Sequence, residues 1–220
     1  MSVTRNIIDL HKELPPHVKL VAVSKFHPLE SIEEALAAGQ KVFGENRPQE
    51  FEKKVLALQG RGIEWHFIGH LQTNKLKMVL PYADLVESVD SEHLLSAIND
   101  WGAKAGKTVN VLLELHVAAE ETKQGFYEEE ILDILFRASS FKYIRFCGLM
   151  GMATNTDKEE DIRADFARIK AFYDYLRDLF PEYEDFRELS IGMSSDWRIA
   201  IDYGATIVRI GTSIFGEREY

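Results

Sequence analysis

Apolar and polar residues alternate along this chain in two different periods. Eight short runs are rich in apolar and β-branched residues: VKLVAVS (18–24), KVFGEN (41–46), IEWHFIGH (63–70), DLVESVD (84–90), VNVLLELHV (109–117), IRFCGLMGM (144–152), ELSIGM (188–193) and TIVRIG (206–211). Runs of this length and composition predict strands. The segments between them have helical spacing. Ile32, Ala35 and Leu36 lead to Gly39; Phe51, Val55 and Leu58 lead to Gly60; Leu94, Ile98 and Trp101 lead to Gly102. The longest stripe, Ile162, Phe166, Ile169, Tyr173, Leu176 and Phe180, steps by fours and threes along one helix face. The three glycines predict positions just past helix ends, and Ser91 and Thr156 predict N-caps. The acidic run DKEED (157–161) suits the positive end of a helix start.

Strands alternating with helices imply parallel strands joined by right-handed crossovers. Eight such units predict a single (β/α)8 barrel, one domain over residues 1–220; five or six would give an open doubly wound sheet. No G-x-G-x-x-G follows the first strand, so a dinucleotide fold has no support. The length of 220 residues requires tight barrel connections. A count of 26 basic against 36 acidic residues gives a net charge of −10, which argues against a nucleic-acid or anionic-membrane surface. No apolar run approaches the roughly 18 residues of a membrane span, and the N-terminus is too polar for a signal peptide. The single cysteine, Cys147, excludes an internal disulfide framework and fits a reducing compartment. A cytoplasmic monomer is the expectation.

The stretch LVAVSKFHP (20–28) ends an apolar strand on Lys25. In a barrel, chemistry sits at the strands' C-terminal ends, and the loops after strands seven and eight commonly hold a phosphate. Strand seven ends as LSIGMSSD (189–196), with Ser190, Gly192, Ser194, Ser195 and a helix start at Asp196. Strand eight ends as VRIGTSIFG (208–216), with Gly211, Thr212 and Ser213. Glycines admit an anion to backbone N–H groups, and hydroxyls add donors. Each motif alone is also ordinary turn chemistry. Barrel closure sets strand eight beside strand one, so Lys25 falls one strand from this corner. A desolvated lysine bonds carbonyl carbons, and pyridoxal 5′-phosphate (PLP) offers both an aldehyde and a phosphate. Arg209 shares a face with Ile207 and Gly211 and reaches toward such a ring; alone it would read as a surface ion pair. An aldolase-type barrel, with Lys25 attacking a sugar phosphate, uses the same residues. A zinc site from His66, His70 and His116 lacks the glutamate and helix of a H-E-x-x-H motif, so core or pocket histidines are expected. Cys147 reads as a small buried apolar side chain, Met150 and Met152 as barrel packing, Trp65, Trp101 and Trp197 as seam fillers, and Lys75 and Lys123 as solvated lysines.

The segments VAVSK, FGEN, WHFIGHLQTNK, GLMGMAT, SIGMSSD and GATIVRIGTSIFG occur in this order between Val18 and Gly216. Together they resemble the pyridoxal phosphate homeostasis protein family, which is similar to the N-terminal domain of alanine racemase. The resemblance implies a fold-type III barrel without the C-terminal β-domain of alanine racemase. It implies PLP held as an internal aldimine on Lys25, with Asn46 lining the pocket, Arg209 at the pyridine nitrogen, and Ser190, Gly211 and Thr212 at the phosphate; no metal is implied. It also implies a role in intracellular vitamin B6 homeostasis without turnover, with apo PLP-dependent enzymes as partners. Arginine keeps its protons, so it favours a neutral pyridine ring and a weak electron sink. The alternative is an amino-acid racemase or decarboxylase. Racemisation needs a base on each face of the α-carbon; related racemases bring the second on the extra β-domain, whereas this sequence stops at Tyr220. Departures from the family pattern are Phe26 and His27 after VSK, Arg47 and Pro48 after GEN, and the segment 114–125. All of them fall at the expected mouth of the site.

Overall fold

Each of the eight runs forms a strand, and all eight pair in parallel into one closed barrel in the computed structural model, which describes residues 2–117 and 124–216. The strands are β1 (Lys19–Val23), β2 (Val42–Glu45), β3 (Glu64–Phe67), β4 (Leu85–Val89), β5 (Val109–Leu115), β6 (Ile144–Gly151), β7 (Glu188–Ser190) and β8 (Ile207–Ile210). Neighbours follow chain order, and β8 closes on β1 with Lys19 opposite Ile207 and Ala22 opposite Ile210. The open-sheet alternative is thereby excluded. The helices are α1 (Val3–Glu13), α2 (Leu29–Ala37), α3 (Pro48–Ala57), α4 (Leu76–Val79), α5 (Glu92–Ala105), α6 (Glu128–Phe136), α7 (Glu159–Leu179), α8 (Trp197–Asp202) and α9 (Thr212–Phe215).

Two apolar layers hold this arrangement. The larger lies between barrel and helices, where Ile32, Phe51, Ile98, Ile131, Phe166 and Ile169 cover the strands' outer faces. Trp65 fills one seam against the rings of Phe43 and Phe51, at 5.9 and 6.0 Å between centroids. Trp197 is buried, and Trp101 packs half-buried at the layer's edge. The smaller cluster is Val21, Val42, Leu85, Leu112, Met150 and Ile207, one from each of six strands. It fills part of the barrel lumen, as expected of Met150. With both faces covered, β2, β4 and β8 are buried at every position, the charged Glu45, Glu87 and Arg209 included.

Helix boundaries differ from expectation at three places. α5 runs through Gly102 and ends at Gly106, whose φ of 65° supplies the left-handed cap. Gly102 serves packing instead: a Cβ there would stand 2.7 Å from both Tyr143 Cβ and Lys107 O. α3 stops at Ala57, three residues short of Gly60, whereas Gly39 does follow the cap of α2. α7 is capped at Lys158 rather than Thr156, whose hydroxyl accepts the Lys158 N–H at 3.1 Å. The acids of its first turn, Glu159, Glu160 and Asp161, stand as expected. Ser91 caps α5, accepting the Leu94 N–H at 3.3 Å. Lys123 lies outside the described residues. Among the described residues no helix is long and apolar enough to cross a membrane. Replacing Ser91 by Ala should lower unfolding free energy by about 1 kcal/mol. Urea unfolding should show this as a lower midpoint with unchanged slope.

Candidate functional site

At the C-terminal ends of the strands the barrel opens into a cleft of about 410 Å³. Five of the six residues expected there line it: Lys25, Asn46, Arg209, Gly211 and Thr212. Ser190 does not. It is fully buried, one layer below, and donates to Glu87 Oε2 at 2.6 Å. The serines on the wall are Ser194 and Ser195. Ser194 Oγ accepts the Gly211 N–H at 3.2 Å, joining the two corners after β7 and β8. Asp196 accepts the Met193 N–H at 2.5 Å and begins α8, as its place in the sequence predicted. Met152 also lines the cleft, rather than serving only as packing. Another cavity, of about 510 Å³, is lined by Thr108, Arg145 and Asp185 at the strands' N-terminal ends. Its arginine is already paired, Arg145 to Asp185 at 3.2 Å.

Lys25 is carried on a strained turn. Ser24 O accepts the His27 N–H at 3.0 Å, so Lys25 and Phe26 occupy the central positions. Phe26 has φ 67°, a left-handed conformation that costs a side-chain-bearing residue roughly 1–2 kcal/mol. A buried ion cluster holds the turn in place. The Phe26 N–H donates to Glu50 Oε1 at 2.8 Å. Lys54 donates to Ser24 O at 2.8 Å, and to Glu45 and Glu50 at 2.7 Å each. These three acceptors match the three protons of the ammonium. Ser24 Oγ donates to Glu45 at 2.6 Å. Burial pushes the Glu45 carboxyl up, and Lys54 only partly opposes this. The Glu50–Lys54 spacing of four is visible in the sequence; its burial beneath Lys25 is not. The departures at the mouth are themselves packed. The Arg47 guanidinium lies 4.4 Å over the Phe26 ring, His27 stacks on Phe215 at 5.0 Å, and Pro48 opens α3.

Arg209 forms the floor and is no surface ion pair, since it is only 5% exposed. Its Nη1 donates to Ser190 O at 2.8 Å and to Ser190 Oγ at 2.6 Å, and its Nη2 donates to Gly151 O at 3.1 Å. Glu87 Oε2 lies 3.8 Å from Nη1. Glu87 in turn meets His66 Nδ1 at 2.5 Å, and His66 Nε2 meets Glu64 at 2.9 Å. His66 is therefore a core histidine with both nitrogens engaged. β3 ends at Phe67, so His70 lies beyond the strand and pairs with Asp90 at 2.8 Å. His116 packs edge-on to the Tyr127 ring. Among the described residues no group of three His, Cys, Asp or Glu could hold a metal.

On the cleft's other wall, Asn46 Oδ1 is buried without a protein partner. Gly69 lies against that backbone: a Cβ there would stand 2.2 Å from Asn46 O, so the approach requires glycine. Cys147 is half-buried rather than buried, and burial pushes its thiol up to about 11, which leaves it a poor nucleophile.

Residues 2–219 match the alanine racemase N-terminal domain. A pyridoxal phosphate homeostasis protein from Aquifex aeolicus is 41% identical over 203 residues, 92% of this chain and 88% of that one. Its namesake from Schizosaccharomyces pombe is 38% identical over 205 residues, covering 92% and 85%. PipY of Synechococcus elongatus, solved without PLP, superposes with a TM-score of 0.92 at 35% identity, covering 98% of this chain and all of that one. The same protein with PLP bound gives 0.89 at 34% identity. Alanine racemase from E. faecalis shares the barrel fold, with a TM-score of 0.76 at 18% identity; this chain covers 57% of it. The chain belongs to the alanine racemase N-terminal domain family, alongside the pyridoxal phosphate homeostasis proteins.

Proposed function

We propose that this protein binds PLP in the cleft and serves intracellular vitamin B6 homeostasis, the role named for its relatives. The observation that carries this reading is the convergence of an amine, a guanidinium and a hydroxyl-rich corner on one cleft. PLP brings an aldehyde that condenses with amines, releasing water, together with a ring nitrogen and a phosphate. Lys25 is the amine for the aldehyde. Arg209 faces the ring nitrogen and, keeping its own protons, leaves that nitrogen unprotonated. Ser194, Ser195, Gly211 and Thr212 hold the phosphate, helped by the N–H groups of Thr212 and Ser213, which open α9 without intrahelical acceptors. Ser190 acts from below by fixing Arg209, not by touching the phosphate. The unpartnered Asn46 oxygen fits a ligand that carries a hydroxyl, as the PLP ring does.

Several features support binding without turnover. A neutral ring is a weak electron sink. Of the described residues lining the cleft, only Lys25, His27 and Arg209 carry a titratable side chain, and the His27 ring is stacked on Phe215. The proposal extends to a cytoplasmic monomer that passes the cofactor to apo PLP-dependent enzymes.

One observation favours the racemase or decarboxylase reading. Burial and the neighbouring Asp90 push the Glu114 carboxyl up to about 7, against the pull of Arg209. A carboxyl that titrates near neutrality is suited to proton exchange.

Incubated with PLP, the protein should turn yellow, and borohydride reduction followed by peptide mapping should place the pyridoxyl group on Lys25. Lys25→Ala should stay colourless; label scattered over surface lysines would sink the proposal. Ser194→Ala should weaken PLP binding by about tenfold, the loss of one hydrogen bond to a charged group. Glu114 holds its proton more tightly folded, at about 7, than at its ordinary 4.5. Its contribution to stability is therefore full below pH 4.5 and is lost as pH rises through 7, by about 3 kcal/mol in all. Glu114→Gln should flatten that decline in thermal unfolding while leaving the yellow colour unchanged. Exchange of amino-acid α-hydrogen for deuterium that disappears in Glu114→Gln would establish the enzyme reading instead.

A further inference from the structure

The lumen beneath the cleft holds a run of charges of which a binding role for PLP uses only the last, Arg209. From the strands' N-terminal end upward it is Lys19, Glu64, His66, Glu87 and Arg209, contributed by β1, β3, β4 and β8. The contacts along it are 2.6, 2.9, 2.5 and 3.8 Å. Lys19 and Glu64 are about a third exposed, whereas His66 and Glu87 are fully buried. Ser190 of β7 bridges the top, donating to Glu87 and accepting from Arg209. On the β2 side His66 faces only Gly44, which brings no side chain.

The geometry of His66 sets a proton count. A neutral imidazole has one N–H and one lone pair, and an ionised carboxylate only accepts. With carboxylates at 2.5 Å from Nδ1 and 2.9 Å from Nε2, a neutral ring would set a lone pair against an oxygen on one side. The three groups therefore share one extra proton. Each carboxylate has a second cationic contact, Glu64 with Lys19 and Glu87 with Arg209, so each is stabilised as an anion and the proton rests on the ring. The signs then alternate along the run: plus, minus, plus, minus, plus. The run is not a proton wire. It ends on a guanidinium, which does not release its proton.

We propose that the barrel lumen stores one proton as the His66 imidazolium, and that this stored charge makes His66 the positioning residue that fixes Glu87 and, through it, Arg209 at the cleft floor. The consequence for a cofactor rests on the PLP reading; the stored proton does not. Burial works to lower the affinity of the ring for its proton, but Glu64 and Glu87 outweigh it and raise that affinity. Glu64 is drawn down to about 2, chiefly by its bond from His66. Burial would raise Glu87, yet His66 and Arg209 bring it below its ordinary value. A raised folded-state value means that the stabilising contribution is present below the unfolded-state value and is lost as pH rises through the folded one.

The test uses cofactor-free protein labelled with ¹⁵N-histidine and ¹⁵N-arginine, so failure to bind PLP cannot be mistaken for failure here. One of the seven histidines should keep both ring nitrogens protonated at alkaline pH, after the exposed histidines, ordinarily near 6.5, have lost a proton. His66→Gln should remove that signal and so assign it. A His66 ring that loses its proton with the surface histidines would overturn the stored proton. The positioning role is read from the Arg209 guanidinium N–H signals. They should exchange with water at least about tenfold faster in His66→Gln, as expected of a loosened buried pair. Unchanged exchange would overturn the positioning. Should His66→Gln fail to fold, wild-type protein still decides the matter. The Arg209 signals should weaken at the same alkaline pH at which His66 deprotonates, and persistence beyond that pH would refute the link.

Discussion

The parallel seam between β8 and β1 brings the two ends of the chain into one hydrogen-bonded register. Val21 lies opposite Arg209 and Ala22 opposite Ile210, so the turn after β1 and the corner after β8 emerge side by side. Without closure, Lys25 would belong to one edge of a sheet and Gly211 to another. The cleft is therefore a property of the barrel's topology before it is a property of any residue. The outer apolar layer holds that topology, leaving the lumen free to carry polar groups.

Buried charges form two clusters, one between β2 and α3 and one in the lumen. One lies under Lys25, where Lys54 is bracketed by Glu45, Glu50 and Ser24 O. The other lies under Arg209, where Ser190, Glu87 and His66 stack downward. Charges taken out of water are costly unless every partner is in place, and removing one partner costs more than never having had the pair. Both clusters are nearly saturated with hydrogen bonds, with Glu45 Oε2 the exception. Each reactive group at the cleft thus rests on a support that tolerates little displacement.

The barrel was legible because β-strands buried on both faces and helices buried on one leave different periods in the sequence. Lys25, Arg209, Gly211 and Thr212 were legible because they lie at strand ends, where barrel chemistry collects, whereas Asn46 was legible only through the family resemblance. Ser190 misled because it sits one position before the point at which β7 gives way to its loop, and pleating turns its hydroxyl inward. Gly102 misled because a helix end and a close approach both call for glycine, and only the neighbouring Tyr143 separates the two. The charge run through the lumen left no local trace. Glu64 and His66 share a strand, but Glu87 meets His66 through the register of β3 on β4, which sequence spacing does not encode.

The rim departures also make physical sense only in three dimensions. Phe26 holds a backbone conformation unfavourable to a side chain, and the Arg47 guanidinium over its ring returns roughly 0.5–1 kcal/mol of that cost. Seen as inheritance, the two positions form a single character. A lineage that changed one codon first would carry either a bare aromatic ring at the mouth or an arginine with nothing beneath it. The pair is best acquired, lost or transplanted together, and it would mark a subgroup of the family more sharply than either residue alone.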